Sequence, residues 1–256
     1  MLSVDKEFSM CNKANGRKGR FCRISMNRKQ RWKKWLRQDI VSEIRYLTKL
    51  EIVNKKLSEI FEMSESCPKK SYFYWYIRHV HSASVAAGFY RLIDIRRDVI
   101  SLKKLLHEVR QAPELVSRRA YTRLPMKARN AIDQKLEKQH LNEEFTKMAG
   151  SGQYVDPEIV SRDIKRIENI SKKIEKFRHK FIGHHAYNQK RHKIAPTFEE
   201  AYGCVQQLTE IFKKYHLLIT QSDIDVIADW EKQNIENDLA SFFKSNNDVR
   251  SGEKFC

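Results

Sequence analysis

The feature of this sequence that most restricts its fold is a run of apolar residues spaced three or four apart between residues 160 and 181. The run consists of Val160, Ile164, Ile167, Ile170, Ile174, Phe177 and Phe181. This spacing keeps the apolar side chains on one face of an α-helix. Asp156 and Pro157 precede the run and suit the N-cap and the first position of a helix. The pattern therefore predicts a long amphipathic helix that begins at Pro157.

The rest of the sequence also favours helices, because 8 Gly and 5 Pro among 256 residues supply few of the turns that an all-β chain needs. Helical patterns run from about 27 to 66, from 71 to 109 with a break near 94–101, through 114–148 with a kink or a division at Pro125, from a capping box at 197–200 to about Ile219, and from Ser222 onward. We expect one all-α bundle at 27–244, a flexible basic arm at 1–26 and a frayed tail at 245–256.

Two features of the segment from 71 to 109 bear on packing. Small residues at 82–88 would let a neighbouring helix approach closely. Trp75 and the tyrosines around it could stack nucleobases, but an aromatic stripe at helical spacing favours the core, and we predict the core. Arg91 and Asp94 are predicted to form a buried or interfacial pair.

The positive charge of the chain is concentrated in two segments. Residues 1–37 hold 12 Lys and Arg against 2 Asp and Glu, and residues 162–193 hold 11 against 3, so these segments carry the whole net charge of +18. Phosphate neutralisation by Lys and Arg supplies most non-specific affinity for nucleic acid, so RNA or DNA is the expected partner. The same positive charge would also be found on a helix face that is simply solvated, or on a surface that binds an acidic protein.

The second basic segment ends in a dense polar cluster, "FRHKFIGHHAY". On an ideal helix His185 lies about 20° from Arg178 and His184 about 120° away. Gly183 can let the last turn unwind, which would bring His184 toward the arginine. A structural role, in which these side chains bind helix-end carbonyls, is the main alternative to a catalytic one. With no carboxylate or cysteine at ligand spacing, we predict no metal and no cofactor.

This cluster resembles the signature of the HEPN superfamily of helical ribonucleases. In that signature a polar residue follows an arginine, and four to six residues separate the arginine from a histidine. Arg178 and His184 have five residues between them, and Arg178 and His185 have six. The order "FYRLIDIRRDVISLKKLL" followed about 70 residues later by "FRHKFIGHH" resembles the abortive-infection U subgroup of that superfamily. The resemblance covers roughly residues 30 to 215 and implies a HEPN-like helical bundle.

The resemblance also implies a function, that of a metal-independent endoribonuclease acting as a toxin or in phage defence. A ribose 2′-OH would attack the adjacent phosphate while histidine transfers the protons and Arg178 clamps the phosphate. His179 would orient or assist it, and a homodimer would join two motifs in one composite site. The basic side chains expected to hold the RNA are Lys176, Lys180, Lys190, Arg191 and Lys193.

A second HEPN subgroup, whose motif ends His-x-Tyr, leads to a different assignment. "HHAY" fits it with His185 as the catalytic histidine and Tyr187 as the target of a nucleotidyltransferase antitoxin. We favour His184. A non-catalytic HEPN-like module that binds nucleic acid or a partner protein remains the alternative function, whereas no compact helix-turn-helix supports a DNA-binding regulator.

The cysteines and the apolar runs indicate the compartment. Five scattered cysteines contain no CxxC pair, so we expect reduced thiols rather than a disulfide framework or a thiolate metal site. No apolar run approaches the roughly 18 residues of a membrane helix, and the N-terminus lacks the apolar core of a signal peptide. We expect a cytoplasmic protein that does not engage a membrane.

Overall fold

The computed structural model describes residues 28–63, 71–123, 131–179 and 196–248, and within these ranges it is an all-α bundle, as predicted. A helical segment at 28–34 continues through a π-helical stretch at Trp35–Ile40. The helices that follow are α1 Val41–Met63, α2 Tyr72–Ile93, α3 Leu102–Gln111, α4 Arg118–Tyr121, α5 Ala131–Ala149, α6 Pro157–Phe177, α7 Phe198–Thr220 and α8 Asp229–Asp248. The predicted arm at 1–26 lies outside the described residues.

The bundle is organised around α1, α2, α6 and α7. Helix α1 packs against α2, α7 and α8, while α6 packs against α2, α3 and α7. One continuous core joins these helices, and its largest fully buried side chains include Trp32, Tyr121, Tyr215, Phe89, Phe145 and Phe212. Within the described ranges, no helix has an apolar stretch long enough to cross a membrane.

The ends of α6 and α7 follow the capping chemistry of the sequence. The carboxylate of Asp156 accepts a hydrogen bond from the Glu158 backbone N–H at 2.9 Å, and α6 begins at Pro157. Thr197 Oγ1 accepts from the Glu200 backbone N–H at 3.1 Å, and the Glu200 carboxylate accepts from the Thr197 backbone N–H at 2.7 Å. These reciprocal bonds form the predicted capping box.

The last helix begins at Asp229, so the predicted start at Ser222 is wrong. Gln221 ends α7 with a φ of 60°, which turns the chain out of the helix. Two side chains then use the carbonyls of the following loop, one from the end of α7 and one from α1. The Ser222 carbonyl is hydrogen-bonded to His216 Nδ1 at 2.9 Å, and the Val226 carbonyl accepts from Arg45 Nε at 2.9 Å. These tertiary bonds compete with a helix start at Ser222.

The start of the segment at 114–148 also differs from the prediction. Pro113–Leu115 forms a single 3₁₀ turn and α4 is one turn long. The guanidinium of Arg118 explains the short turns, because it donates to the Gly150 carbonyl at 2.8 Å and to the Gly152 carbonyl at 3.0 Å. The kink or division predicted at Pro125 lies outside the described residues.

The aromatic start of α2 is exposed, which contradicts its predicted place in the core. Tyr72, Trp75 and Tyr76 are 87%, 62% and 54% exposed. The buried side chains of α2 begin only at His81, so the first nine residues of the helix contribute none. Helical periodicity cannot distinguish these residues from core residues, because an exposed stripe has the same spacing as a buried one.

The small residues farther along α2 do allow the predicted close approach of a neighbouring helix. A Cβ at Gly88 would lie 2.9 Å from Leu47 Cδ2 of α1. Leu47 is fully buried, so it has little room to move away. Glycine at this position therefore sets the distance between α1 and α2.

Candidate functional site

Three of the predicted site residues lie within the described part of the chain, namely Lys176, Arg178 and His179. The others lie outside it, and their roles stay predictions: His184, His185, Tyr187, Lys180, Lys190, Arg191 and Lys193.

The apolar face of α6 brings Arg178 to the C-terminal end of α2. Ile174 and Phe177 are buried, and both line a small cavity of about 60 Å³ together with Ser82, Val85 and Ala86 of α2. The small side chains of α2 let the two helices lie close together. Arg178 follows Phe177 directly and thus reaches the last turn of α2.

The guanidinium of Arg178 stacks on Tyr90. Its central carbon lies 3.6 Å from the centroid of the Tyr90 ring, which is cation–π geometry. Tyr90 is itself half-buried and packs against the core, so the ring is a firm support. The Nε atom of Arg178 is buried, and no acceptor for it lies among the described residues. The guanidinium is therefore held by its face, while the side chain as a whole stays half-buried at the edge of the bundle.

A buried carboxylate, Asp94, lies next to this pair at the end of α2. It accepts hydrogen bonds from the backbone N–H of Arg96 at 3.0 Å and from Arg96 Nε at 2.8 Å. Burial opposes ionisation of the carboxyl, but the hydrogen bonds from Arg96 and the positive charges of Arg96 and Arg178 outweigh it and lower the pKa of Asp94. A fixed negative charge therefore stands within electrostatic range of Arg178.

The predicted pairing of Arg91 with Asp94 is wrong. Arg91 Nε lies 2.9 Å from a carboxylate oxygen of Glu43 on α1, and Asp94 binds Arg96 instead. The chain turns out of α2 at Asp94, so its carboxylate meets the backbone and side chain two residues later rather than the preceding helical turn. Ser101 Oγ closes this turn by donating to the Asp94 carbonyl.

Arg178 forms part of the wall of an open groove of about 410 Å³ between α2 and α6. The groove is lined by Tyr90, Lys172, Glu175, Lys176, Arg178 and His179. Lys176 and His179 are exposed. Three cationic side chains face one carboxylate there, so the groove suits an anionic ligand. The structure thus brings together the three predicted site residues that it describes.

The backbone widens from α to π geometry at residues 178 and 179. A π turn changes the angle between successive side chains, and such turns often occur at functional sites. The angles of about 20° for His185 and 120° for His184 assume an ideal α-helix that includes Arg178. Because Arg178 lies in π geometry, these angles give no preference between the two histidines.

Sequence reasoning missed the roles of Tyr90 and Asp94. Both belong to "FYRLID", at the start of the longer segment that resembles the abortive-infection U subgroup. That segment was a usable signal for their importance. The contact of Tyr90 with Arg178 and the electrostatic influence of Arg178 on Asp94 depend on how α2 and α6 pack, which no spacing within either helix reveals.

The described residues hold no group of three or more His, Cys, Asp or Glu side chains placed to bind a metal ion.

No curated protein and no solved structure matched the chain significantly. The model of a HEPN family described as AbiU2 matches residues 29–239. The match contains both the Tyr90–Asp94 segment and the Arg178 cluster, and it covers most of the chain. The chain therefore belongs to the AbiU2 family of HEPN proteins, which is related to abortive infection.

Proposed function

We propose that this protein is a metal-independent endoribonuclease of the HEPN type that acts as a toxin or an abortive-infection effector. The observation that carries the proposal is the placement of Arg178, whose guanidinium is stacked on Tyr90 while the half-buried side chain lines a groove that also contains Lys172 and Lys176. A phosphate oxygen is the acceptor that best suits a guanidinium in a positively charged groove.

Phosphate binding fits the groove around Arg178. A phosphate in the groove would accept charge-assisted hydrogen bonds from the guanidinium of Arg178, which are roughly twice as strong as hydrogen bonds between neutral groups. Lys172 and Lys176 line the same groove and would contact neighbouring phosphates. Stacking on Tyr90 restricts the guanidinium before the substrate arrives, which reduces the ordering that binding must supply.

The proposed reaction uses the nucleophile of the substrate itself. A histidine removes the proton from a ribose 2′-OH, the 2′ oxygen attacks the adjacent phosphorus, and the bond to the 5′ oxygen breaks. A second histidine donates a proton to that leaving oxygen, giving a 2′,3′-cyclic phosphate and a 5′-OH. Arg178 stabilises the charge that develops on the phosphate oxygens. His184 or His185 is the proposed proton carrier, and His179 assists.

We further propose that two copies of the chain form one active site, since the reaction needs two proton carriers and the HEPN motif supplies one principal histidine. Such a homodimer would place two motifs around one phosphate. Control by an antitoxin fits a toxin of this kind, and modification of Tyr187 by a nucleotidyltransferase would introduce bulk and charge beside the histidines.

The test is cleavage of a labelled single-stranded RNA by the purified full chain in EDTA. Arg178→Ala is expected to lower kcat about 10²- to 10³-fold. Loss of the catalytic histidine in His184→Ala or His185→Ala is expected to lower it about 10²- to 10⁴-fold. The matched control, His140→Ala, changes an exposed histidine on α5 and should leave the rate unchanged.

Two further measurements examine the mechanism. An RNA with a single 2′-deoxy substitution 5′ of the cleaved phosphate should be resistant at that position, and the products should carry a cyclic phosphate. If wild type binds RNA in a mobility shift but cleaves none, alone and with extracts of phage-infected cells, the catalytic proposal fails. The protein is then a binding module.

A further inference from the structure

We propose that the exposed aromatic face of α2 is a base-stacking track, which guides single-stranded RNA toward Arg178. The inference rests on the proposed function only for what happens at Arg178. The track itself is a claim about binding, and it can be tested without cleavage.

The track is a single stripe along α2. On an ideal α-helix Tyr72, Tyr76, His79, Ala83 and Tyr90 fall within an arc of about 60°. Tyr72, Tyr76 and His79 are exposed, and Ala83 and Tyr90 are half-buried. The side chains thus become progressively more covered toward the end of the helix that holds Arg178.

Tyr90 connects this stripe to the groove. It shares the face of Tyr72 and also carries the guanidinium of Arg178 on its ring. With a rise of about 1.5 Å per residue, Tyr76 lies about 21 Å and Tyr72 about 27 Å from Tyr90 along the helix axis. A single strand of several nucleotides spans that distance, which is within the range of known single-strand sites.

The lack of carboxylates on α2 is compatible with a bound nucleic acid. Its two arginines, Arg78 and Arg91, lie about 120° and 100° from Tyr72 on an ideal helix, so they flank the stripe and are not on it. The sequence of α2, "YFYWYIRHVHSASVAAGFYRLI", contains two arginines and no Asp or Glu, although the chain holds 32 acidic residues. A strand that follows the stripe therefore meets no carboxylate on this helix, and at its end it enters the groove of Lys172, Lys176 and Arg178.

Exposed rings are what stacking on unpaired bases requires. Tyr72 and Tyr76 stand on the stripe itself, and Trp75 lies about 60° from Tyr72 on the same side. All three expose more than half of their surface. Aromatic side chains bind bases of any identity through their faces, so the track would confer affinity for single strands with little sequence preference.

The experiment measures the affinity for a 12-nucleotide oligo(A) with 2′-O-methyl riboses, which the proposed reaction cannot cleave, by fluorescence anisotropy at fixed salt. Tyr72→Ala/Tyr76→Ala is expected to raise Kd about 5- to 100-fold. Tyr72→Phe/Tyr76→Phe keeps the rings and should bind like wild type. Trp230→Ala/Tyr154→Ala removes exposed rings elsewhere and is the matched control.

Oligonucleotide length distinguishes a track from a general loss of binding. A trinucleotide held at Arg178 does not reach Tyr72 or Tyr76, so the alanine pair should not weaken it. The slope of log Kd against log salt should be the same for wild type and the alanine pair, because no charge is removed. Equal melting temperatures would exclude unfolding as the cause.

Three outcomes decide the proposal. If the alanine pair weakens the 12-mer and spares the trinucleotide, the track is supported, even if wild type cleaves no RNA and the catalytic proposal fails. If the alanine pair binds the 12-mer like wild type, the track is wrong, whether or not cleavage persists. If the pair instead converts a dimer to a monomer in light scattering and leaves 12-mer binding unchanged, the face is an interface between copies and the proposal is overturned.

Discussion

The guanidinium carbon of Arg178 lies 3.6 Å from the centroid of the Tyr90 ring, so a tyrosine outside the arginine–histidine motif supports the arginine of that motif. The contact joins the end of α6 to the end of α2. Its consequence is that Tyr90 controls the position of Arg178.

Replacement of Tyr90 should therefore impair cleavage through Arg178. A cation–π contact contributes about 0.5–2 kcal/mol, so Tyr90→Ala should lower kcat/KM about 2- to 30-fold, whereas Tyr90→Phe keeps the ring and should retain the rate. In an Arg178→Ala background, Tyr90→Ala should cause no further loss. Additive losses in this double-mutant cycle would show that Tyr90 acts independently of Arg178.

Asp94 should stabilise the fold in a pH-dependent way. Its carboxylate is almost fully buried and accepts hydrogen bonds from Arg96, so Asp94→Asn is expected to lower the unfolding free energy by about 1–3 kcal/mol at pH 7. Asp98→Asn, at an exposed position nearby, is the control. Urea titration of the three proteins measures the difference.

The sign of the pH effect follows from the direction of the pKa shift. The pKa of Asp94 is lowered from its ordinary value of 3.8, so the stabilisation is complete above that value and is lost as the pH falls through the folded-state pKa. The gap between wild type and Asp94→Asn should shrink in acid. A gap that stays constant down to pH 2 would contradict the charge-based account.

The sequence predicted α6 and α7 well because the signals that start them are local. Asp156, Pro157 and the pair Thr197 and Glu200 satisfy the first turns of their own helices. The predicted start at Ser222 is wrong, because His216 at the end of α7 and Arg45 of α1 bind carbonyls of that loop. Capping chemistry is thus predictable where no distant side chain competes for the same backbone groups.

The candidate site was likewise predictable only where its signal is local in the sequence. Arg178 was identified because an arginine and histidines recur at a short spacing. Tyr90 was not, because its role depends on the crossing of two helices. The exposure of Trp75 could not be predicted either, since periodicity reports that residues share a face but not what that face meets.

The two glycines of α2 and α7 should respond oppositely to alanine. At Gly88 a Cβ would lie 2.9 Å from the fully buried Leu47, whereas at Gly203 a Cβ would meet nothing within 4 Å. Alanine gains about 1 kcal/mol of helix propensity at either position, but overpacking costs about 1–3 kcal/mol at the first. Gly203→Ala should raise Tm and Gly88→Ala should not. Calorimetry of the two variants measures this, and equal shifts would show that Leu47 moves aside freely.

His81 should make the protein less stable in mild acid. Its ring is hydrogen-bonded to the hydroxyl of Tyr202, which donates to the Leu50 carbonyl at 3.2 Å, so the neutral imidazole fits this buried site by donating from Nε2. Burial, with a smaller contribution from the positive charge of Arg78, lowers the pKa of His81 to about 4.

A histidine whose folded-state pKa is lowered resists protonation in the folded state and accepts it in the unfolded state. The stability is therefore complete above the ordinary pKa of 6.5 and falls as the pH drops from there toward 4. At pH 5 the loss should be about 2 kcal/mol relative to pH 8. His81→Gln keeps an N–H donor but does not titrate, so it should lose about 2 kcal/mol less than wild type over this range. Comparing the two proteins cancels the effects of His107 and His216, whose pKa values burial also lowers. Parallel stability curves for wild type and His81→Gln would mean that His81 is protonated in the folded protein.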